Sequence, residues 1–276
     1  MACVTLAGRI RAMPEGDTIY RTATVLRRAL MDQTIRAVES QAVEPGQLVG
    51  CSITRVEPRG KHLLIHLDNG SVLHSHMGMT GSWHLYHHGQ PWQKPSRLAA
   101  LRLDTEPIVA VCFTPKTLEM ISRDGLRRHR WLRQLGPDLL DPEFEIEDAV
   151  CRLRVHAERP LGEVVMDQSI VCGIGNIYKS EGLFVSRISP FDRVKSCSDT
   201  DLNQLLTRTR QLMLRNRHGA KRRTRMGPDG ASKWVYGRSG EPCLECGEVI
   251  QMRRQSELGR STYWCPHCQP DRHPAG

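Results

Sequence analysis

The sequence predicts a two-domain α+β protein: an N-terminal β-sandwich with a flanking helix, then a helical domain, then a small four-cysteine ribbon. Three observations predict it. Between residues 51 and about 121, short runs rich in Val, Ile, Leu and Thr follow one another. Beyond residue 145 the apolar residues recur at helical spacing. Near the C-terminus stand two Cys-x-x-Cys pairs. A length of 276 residues is enough for two ordinary cores.

The first helix is expected over residues 17–31, capped by Asp17, with Ile19, Ala23, Leu26 and Leu30 on one buried stripe. The runs "SITRVE", "HLLIHL", "SVLHSH", "SWHLY", "LAALRL" and "IVAVCF" are expected strands, and Asn69-Gly70 between two alternating runs marks a hairpin. The strand pattern ends near "LGPDLLDPEFE" at 135–145, where prolines and acids mark a boundary. Helices are then expected in "EIEDAVCRL", "LGEVVMDQS", "GNIYKSEGLFV" and "DTDLNQLLTRTRQLMLRN", the last capped by Asp199 with Leu202, Leu205, Leu206, Leu212 and Met213 on its apolar side. Residues 218–233 are basic, contain glycine and lack apolar periodicity, so a mobile loop is expected there.

Charge and cysteine content narrow the function. A formal charge of +9, from 39 Lys and Arg against 30 Asp and Glu, favours a polyanionic partner, and nucleic acid is the simplest. No apolar run approaches the roughly 18–20 residues that cross a bilayer, and the opening "ACVTLAG" lacks the features of an export signal, so a soluble, intracellular protein without membrane contact is expected. Of ten cysteines, six are scattered singly. The other four, Cys243, Cys246, Cys265 and Cys268, read "CLEC", eighteen residues, "CPHC". Each pair sits on a turn that presents two thiolates to one tetrahedral ion. Four cysteine ligands leave no open coordination position, so one structural Zn2+ is expected, with His267 a surface residue between the last two ligands.

Two further stretches stand out. "VCGIGNIY" at 171–178 runs from a Gly173-Ile174-Gly175 turn straight into a helix, an arrangement that seats a phosphate at the positive helix end and also occurs as a plain interhelical turn. "MPEGDT" at 13–18 looks like a chain start set inside the chain, since loss of Met13 would leave Pro14 as a secondary amine beside Glu15.

Four blocks in order, "MPEGD", "RGKHLL", "MDQSIVCGIGNIYKSEGLF", and "WVYGRSGEPCLECG" with "GRSTYWCPHCQ", resemble the formamidopyrimidine-DNA glycosylase and endonuclease VIII family from Pro14 to Gln269. The resemblance implies a catalytic β-sandwich domain over 13–138, a helical domain with a helix-two-turn-helix over 139–233, and a four-cysteine zinc ribbon over 234–270, with residues 1–12 an extension absent from the working protein. It implies damaged DNA as partner, a monomer, and a cytoplasmic location, nucleoid-associated if the source is bacterial. It further implies a bifunctional DNA glycosylase and abasic-site lyase. Pro14 would be the nucleophile on the sugar C1′, Glu15 the general acid, and Lys61 a catalytic and phosphate-contacting lysine. Asn176 and Arg260 would be further phosphate ligands, and Met79 the wedge that fills the gap left by an everted base. Glu181 lies where the family carries an acidic residue, although a helix-face glutamate accounts for it as well.

The departures bear on substrate. The guanine-lesion branch begins "PELPE" and carries a second wedge with Arg and Phe close together, whereas this chain reads "PEGDT" and shows no Arg-x-Phe in residues 121–133. The start resembles the endonuclease VIII branch, which implies oxidised pyrimidines; the surroundings of Met79 resemble the guanine branch. With residues 1–12 attached, Pro14 nitrogen is a tertiary amide and forms no iminium. Translation from Met13, trimming of the extension, or a non-catalytic DNA-binding paralogue are the three ways out.

Overall fold

Apolar periodicity builds each of two units, Met1–Arg133 and Gln134–Gly276, in a computed structural model that describes residues 14–219 and 221–272. The extension at 1–12 lies outside the described residues.

In the first unit, α1 (Gly16–Leu30) buries Ile19, Ala23, Leu26 and Leu30, each at 1% exposure or less, which is the predicted stripe. The predicted cap is displaced. Glu15 occupies the N-cap position without a side-chain cap, and Asp17 is a buried residue of the first turn. Eight strands follow: β1 (Ala37–Ser40), β2 (Ile53–Arg59), β3 (His62–Leu67), β4 (Val72–His76), β5 (Ser82–Tyr86), β6 (Ala99–Asp104), β7 (Val109–Phe113) and β8 (Thr117–Ile121). They form two antiparallel four-stranded sheets, in the orders β1-β6-β7-β5 and β2-β3-β4-β8.

One core joins both sheets to α1, drawing Ile53, Val56, Leu63, Ile65 and Leu73 from one sheet and Trp83, Leu101, Leu103 and Ala110 from the other. Trp83 donates its indole N–H to Ser75 Oγ at 3.1 Å, so the wide side chain that spans the layers also satisfies its polar atom. The Asn69-Gly70 hairpin forms as predicted, with Gly70 at φ 82° and Asn69 Oδ1 accepting from the Ser71 amide at 2.9 Å. Two short helices, α2 (Arg123–Arg128) and α3 (Arg130–Arg133), close the unit.

The second unit holds α4 (Ile146–Arg154), α5 (Leu161–Val164), α6 (Asn176–Val185), α7 (Asp199–Arg215) and a hairpin of β9 (Gln251–Gln255) with β10 (Arg260–Trp264). Every residue of α6 from Asn176 to Phe184 is buried, so this helix is the axis on which the unit is packed. Three expectations need correction. "LGEVVMDQS" is helical only to Val164, because Asp167 turns the chain by accepting from the Ser169 amide and hydroxyl. The cap of α7 is Ser198 rather than Asp199, in a capping box with Asp201. The basic stretch at 218–233 has no helix or strand among its described residues, yet Asn216, Arg222 and Thr224 are buried and fix it to the helices. Asn216 holds Arg223 through the backbone N–H and C=O, each at 2.8 Å.

Candidate nucleic-acid and catalytic site

Pro14 and Glu15 stand at the positive end of α1, with Pro14 half-buried and Glu15 fully buried. The Glu15 carbonyl accepts from Thr18 and Ile19 amides at 2.9 and 3.2 Å, which fixes the direction of the chain as it enters the helix. Lys61 is half-buried in the two-residue link between β2 and β3, where Arg59 faces His62 and Gly60 takes φ 58°. Met79 is 69% exposed in the β4–β5 turn, while Met77 is 3% exposed in the core. Gly81 closes that turn through its amide to the Met77 carbonyl at 2.9 Å, and a Cβ at Gly81 would collide with the same carbonyl oxygen. The turn therefore pushes an apolar, flexible side chain outward from a rigid base.

In the second unit, Gln168 holds the Gly173–Gly175 turn. Its Oε1 accepts from the Gly173 amide at 3.0 Å and its Nε2 donates to the Ile174 carbonyl at 3.1 Å. Gly173 sits at φ 103°, a conformation that favours glycine. Asn176 opens α6 directly after the turn, and its Oδ1 is buried with no hydrogen-bond partner among the described residues. A buried amide oxygen without a partner at the positive end of a ten-residue helix is what a ligand seat needs.

Further along α6, residues 179–181 run into the ribbon. Lys179, 2% exposed, donates to Thr262 Oγ1 at 2.7 Å, and Thr262 donates on to Gln255 Oε1 at 2.9 Å. Ser180 Oγ accepts from the Tyr263 amide at 3.3 Å. Glu181, fully buried, accepts from the amides of Trp234, Val235 and Tyr236 at 2.8–2.9 Å and from the Thr224 hydroxyl. Arg260, half-buried, begins β10 two residues before Thr262 and pairs with Gln255. Asn176 and Arg260 are thus tied into one body through α6 and β10. Glu181 proves to be a buried anchor of the segment that leads into the ribbon, a role that sequence could not show because its partners lie 43–55 residues away.

The four cysteines converge. Cys243 and Cys268 sulfurs lie 3.9 Å apart, Cys246 and Cys265 sulfurs 3.5 Å apart, and all four lie within 4.8 Å of one another. Tetrahedral zinc at about 2.3 Å from each sulfur requires S···S near 3.8 Å, so the donor set fits that ion. His267 is exposed, as expected of a residue outside the set.

A second cluster went unpredicted. On the outer face of the β2-β3-β4-β8 sheet, His62, His74, His76, Glu119 and His129 form a ladder. His62 Nδ1 lies 2.8 Å from His74 Nε2, and His74 Nδ1 lies 2.8 Å from Glu119 Oε1. His129 Nε2 lies 3.1 Å from the same oxygen. The Leu132 amide donates to His129 Nδ1 at 3.3 Å, so neutral His129 carries its proton on Nε2 and gives it to Glu119. That tautomer is a hydrogen-bond donor, and it argues against reading His74, Glu119 and His129 as a metal triad.

Burial, followed by the charges of neighbouring histidines and Lys61, pushes His62 down to about 3. Burial, then Lys116, Lys61 and His74, pushes His76 down to about 4. Burial also lowers His74, against the pull of Glu119. His62, His74 and His76 are therefore neutral at pH 7, beside an ionised Glu119. The even spacing of His62 and His66, and of His74 and His76, was the available signal in the sequence, since it puts each pair on one face of its strand.

Comparison with known proteins follows the same architecture. Residues 13–117 match the formamidopyrimidine-DNA glycosylase N-terminal domain, residues 135–224 the formamidopyrimidine-DNA glycosylase H2TH domain, and residues 240–270 the zinc finger found in FPG and IleRS. The chain is 36% identical to a probable endonuclease 8 2 of Streptomyces coelicolor over 271 residues, covering 96% of this chain and 97% of that one. It is 36% identical to the DNA-(apurinic or apyrimidinic site) lyase Nei2 of Mycolicibacterium smegmatis over 260 residues, covering 93% and 99%. The crystal structure of the MutM (Fpg) protein of Thermus thermophilus superposes with a TM-score of 0.78 at 29% identity, covering 95% of this chain and all of that one.

Proposed function

Because this chain belongs to the formamidopyrimidine-DNA glycosylase and endonuclease VIII family, and is a DNA repair glycosylase and abasic-site lyase, we propose that it removes oxidised pyrimidines through a Schiff base on Pro14. The observation that carries the reading is the Pro14-Glu15 pair at the start of α1, with the glutamate fully buried. The amine nitrogen of Pro14 attacks C1′ of an everted nucleotide while Glu15 protonates the ring oxygen, and the base leaves. The resulting iminium acidifies C2′–H. Loss of that proton expels the 3′ phosphate by β-elimination, and a second elimination expels the 5′ phosphate. The positive end of α1 favours neutral amine over ammonium at the nucleophile.

Lys61, Asn176 and Arg260 grip phosphates beside the lesion, which fixes position without reading sequence. Met79 fills the gap in the stack. One Zn2+ on Cys243, Cys246, Cys265 and Cys268 holds the ribbon, and through β10 it holds Arg260. In this reading the protein works as a monomer on damaged DNA in the cytoplasm, with catalytic, helical and ribbon segments at 13–138, 139–233 and 234–270.

The mechanism requires a chain that begins at Pro14. This is supported by a family match that begins at residue 13 and by relatives matched over nearly their whole length. Oxidised purines are the second reading, favoured by the exposure of Met79 and its resemblance to the guanine-branch wedge.

Borohydride trapping on abasic DNA, followed by N-terminal sequencing of the trapped product, tests the proposal. A cross-link through Pro14 is expected. A protein starting at Pro14 that cleaves DNA yet gives no cross-link overturns the mechanism, and a blocked N-terminus with binding but no cleavage identifies a non-catalytic paralogue.

A further inference from the structure

The segment that closes the N-terminal unit carries charge and an aromatic ring that the lesion site does not use. Over residues 123–133 five arginines, Arg123, Arg127, Arg128, Arg130 and Arg133, are all exposed, against one carboxylate, Asp124. None of the five has an ion pair among the described residues. Elsewhere the arginines pair readily: Arg102 holds Glu39 and Asp104, Arg154 holds Asp199, and Arg272 holds Asp201. In the midst of the unpaired set Trp131 is 63% exposed, with the Arg130 guanidinium 5.5 Å from its ring.

The display is anchored. Ser122 caps α2 by accepting from the Gly125 amide at 3.1 Å. Leu132, beside Trp131, is 1% exposed, and His129 is held to Glu119 on β8. An ordered segment that buries Leu132 and turns its neighbour Trp131 outward is a platform, since burying the indole as well would remove more apolar surface from water.

We propose that this platform binds single-stranded DNA, with a base stacked on Trp131 and backbone phosphates on the surrounding guanidiniums. Five uncompensated cations select a polyanion. The exposed ring selects one whose bases are free to stack, because every base has a π-face and a duplex keeps those faces covered. A lipid surface would need an apolar face, and Leu126 and Leu132 on the same segment point inward or half-inward. At its Arg123 end the platform is set apart from the lysine assigned to the lesion. Arg123 lies against Gly70, beyond the C-terminal end of β3, whereas Lys61 precedes its N-terminal end. Six strand residues separate those ends, about 20 Å. The inference goes beyond lesion processing and stands whether or not Pro14 is the nucleophile.

The test uses the full chain with a twenty-residue oligothymidylate as probe and a short abasic duplex as reference. Trp131→Ala is expected to weaken oligothymidylate binding on the order of tenfold. Arg127→Glu with Arg128→Glu is expected to weaken it at least as much and to flatten the dependence of affinity on salt. Both variants should keep the wild-type melting temperature and cleave the abasic duplex at the wild-type rate. Unchanged oligothymidylate affinity in both variants overturns the proposal. So does loss of that affinity in Arg260→Ala alone, which would put the single strand in the lesion site. An acidic peptide, poly-glutamate, serves as the third probe: patch-dependent binding of the peptide without patch-dependent binding of oligothymidylate overturns the proposal in favour of a protein partner.

Discussion

Both units bury polar side chains, and they do it by opposite means. On the outer face of the β2-β3-β4-β8 sheet the buried groups are histidines kept neutral by burial, passing hydrogen bonds from His62 through His74 to Glu119. In α6 the buried groups are residues that carry charge in water, and each is surrounded by partners: Glu181 by three amides and a hydroxyl, Lys179 by the Thr262 hydroxyl that leads on to Gln255. A network of neutral histidines tolerates small movements but fails when protons arrive. A network built around Glu181 fails when the carboxylate is displaced, because a buried acceptor shared by four donors leaves all four unsatisfied. The first unit should therefore respond to acid, and the second to geometry.

The largest effect should come from the sulfur cluster. Chelation or Cys265→Ser is expected to unfold the ribbon and abolish DNA binding together, because metal binding in such modules supplies on the order of 10 kcal/mol of folding free energy. Arg260→Ala should lose binding while the circular dichroism and metal content stay intact. Equal unfolding in both variants would show that Arg260 is part of the scaffold.

Next is Glu181→Ala. Stranding its donors should cost about 3 kcal/mol or more in urea unfolding of the C-terminal unit, with Glu181→Gln milder because its amide oxygen still accepts. A loss below about 1 kcal/mol for the alanine variant would mean that water replaces the carboxylate.

Acid should act on the other unit. For His62 and His76 the folded value lies below the unfolded one, so the unfolded chain takes up protons first. Their contribution is complete above the ordinary histidine value and is lost as pH falls from about 6.5 towards 4 for His76 and towards 3 for His62. Glu119, where burial is outweighed by hydrogen bonds from His74 and His129, is held below the ordinary carboxylate range, and its contribution is lost only below that range. Denaturant midpoints at pH 7.5, 5.5 and 4.5 should fall step by step for the N-terminal unit. A flat response across that series removes the neutral-ladder account.

The smallest effect is local. Ser198→Ala removes the cap of α7 and should cost about 1 kcal/mol, read as a shift in the same C-terminal transition.

The contrast also explains what was legible from residues alone. The α1 stripe, the Asn69-Gly70 hairpin, the strands from Ile53 to Phe113 and the convergence of the four cysteines all follow from spacing along one segment, and spacing is what a sequence displays. The caps differ by one or two residues from expectation: Asp199 satisfies the same local preference as Ser198 before it, while α1 starts from Glu15 with no side-chain cap at all. β8 is hard to read from sequence although Thr117, Leu118, Glu119 and Met120 alternate polar with apolar, because the run is only five residues long and both faces of its first four residues are half-buried. The residues proposed as catalytic and phosphate-contacting rest on resemblance; Pro14, Lys61 and Arg260 each look ordinary in isolation. Glu181 and Lys179 were illegible for a physical reason. A helical glutamate or lysine is usually solvated, and only partners tens of residues away, Trp234 to Tyr236 and Thr262, make these two buried.

Lys179 stands three residues after Asn176, and Thr262 two after Arg260, so the single bond between them lies within about 4.5 Å of helix on one side and about 7 Å of strand on the other. Two fingertips mounted so close to a common rivet cannot open or close independently. If both touch a phosphodiester chain, the span between them acts as a fixed gauge, accepting only a backbone already curved to that width and excluding straighter duplex before any chemistry begins.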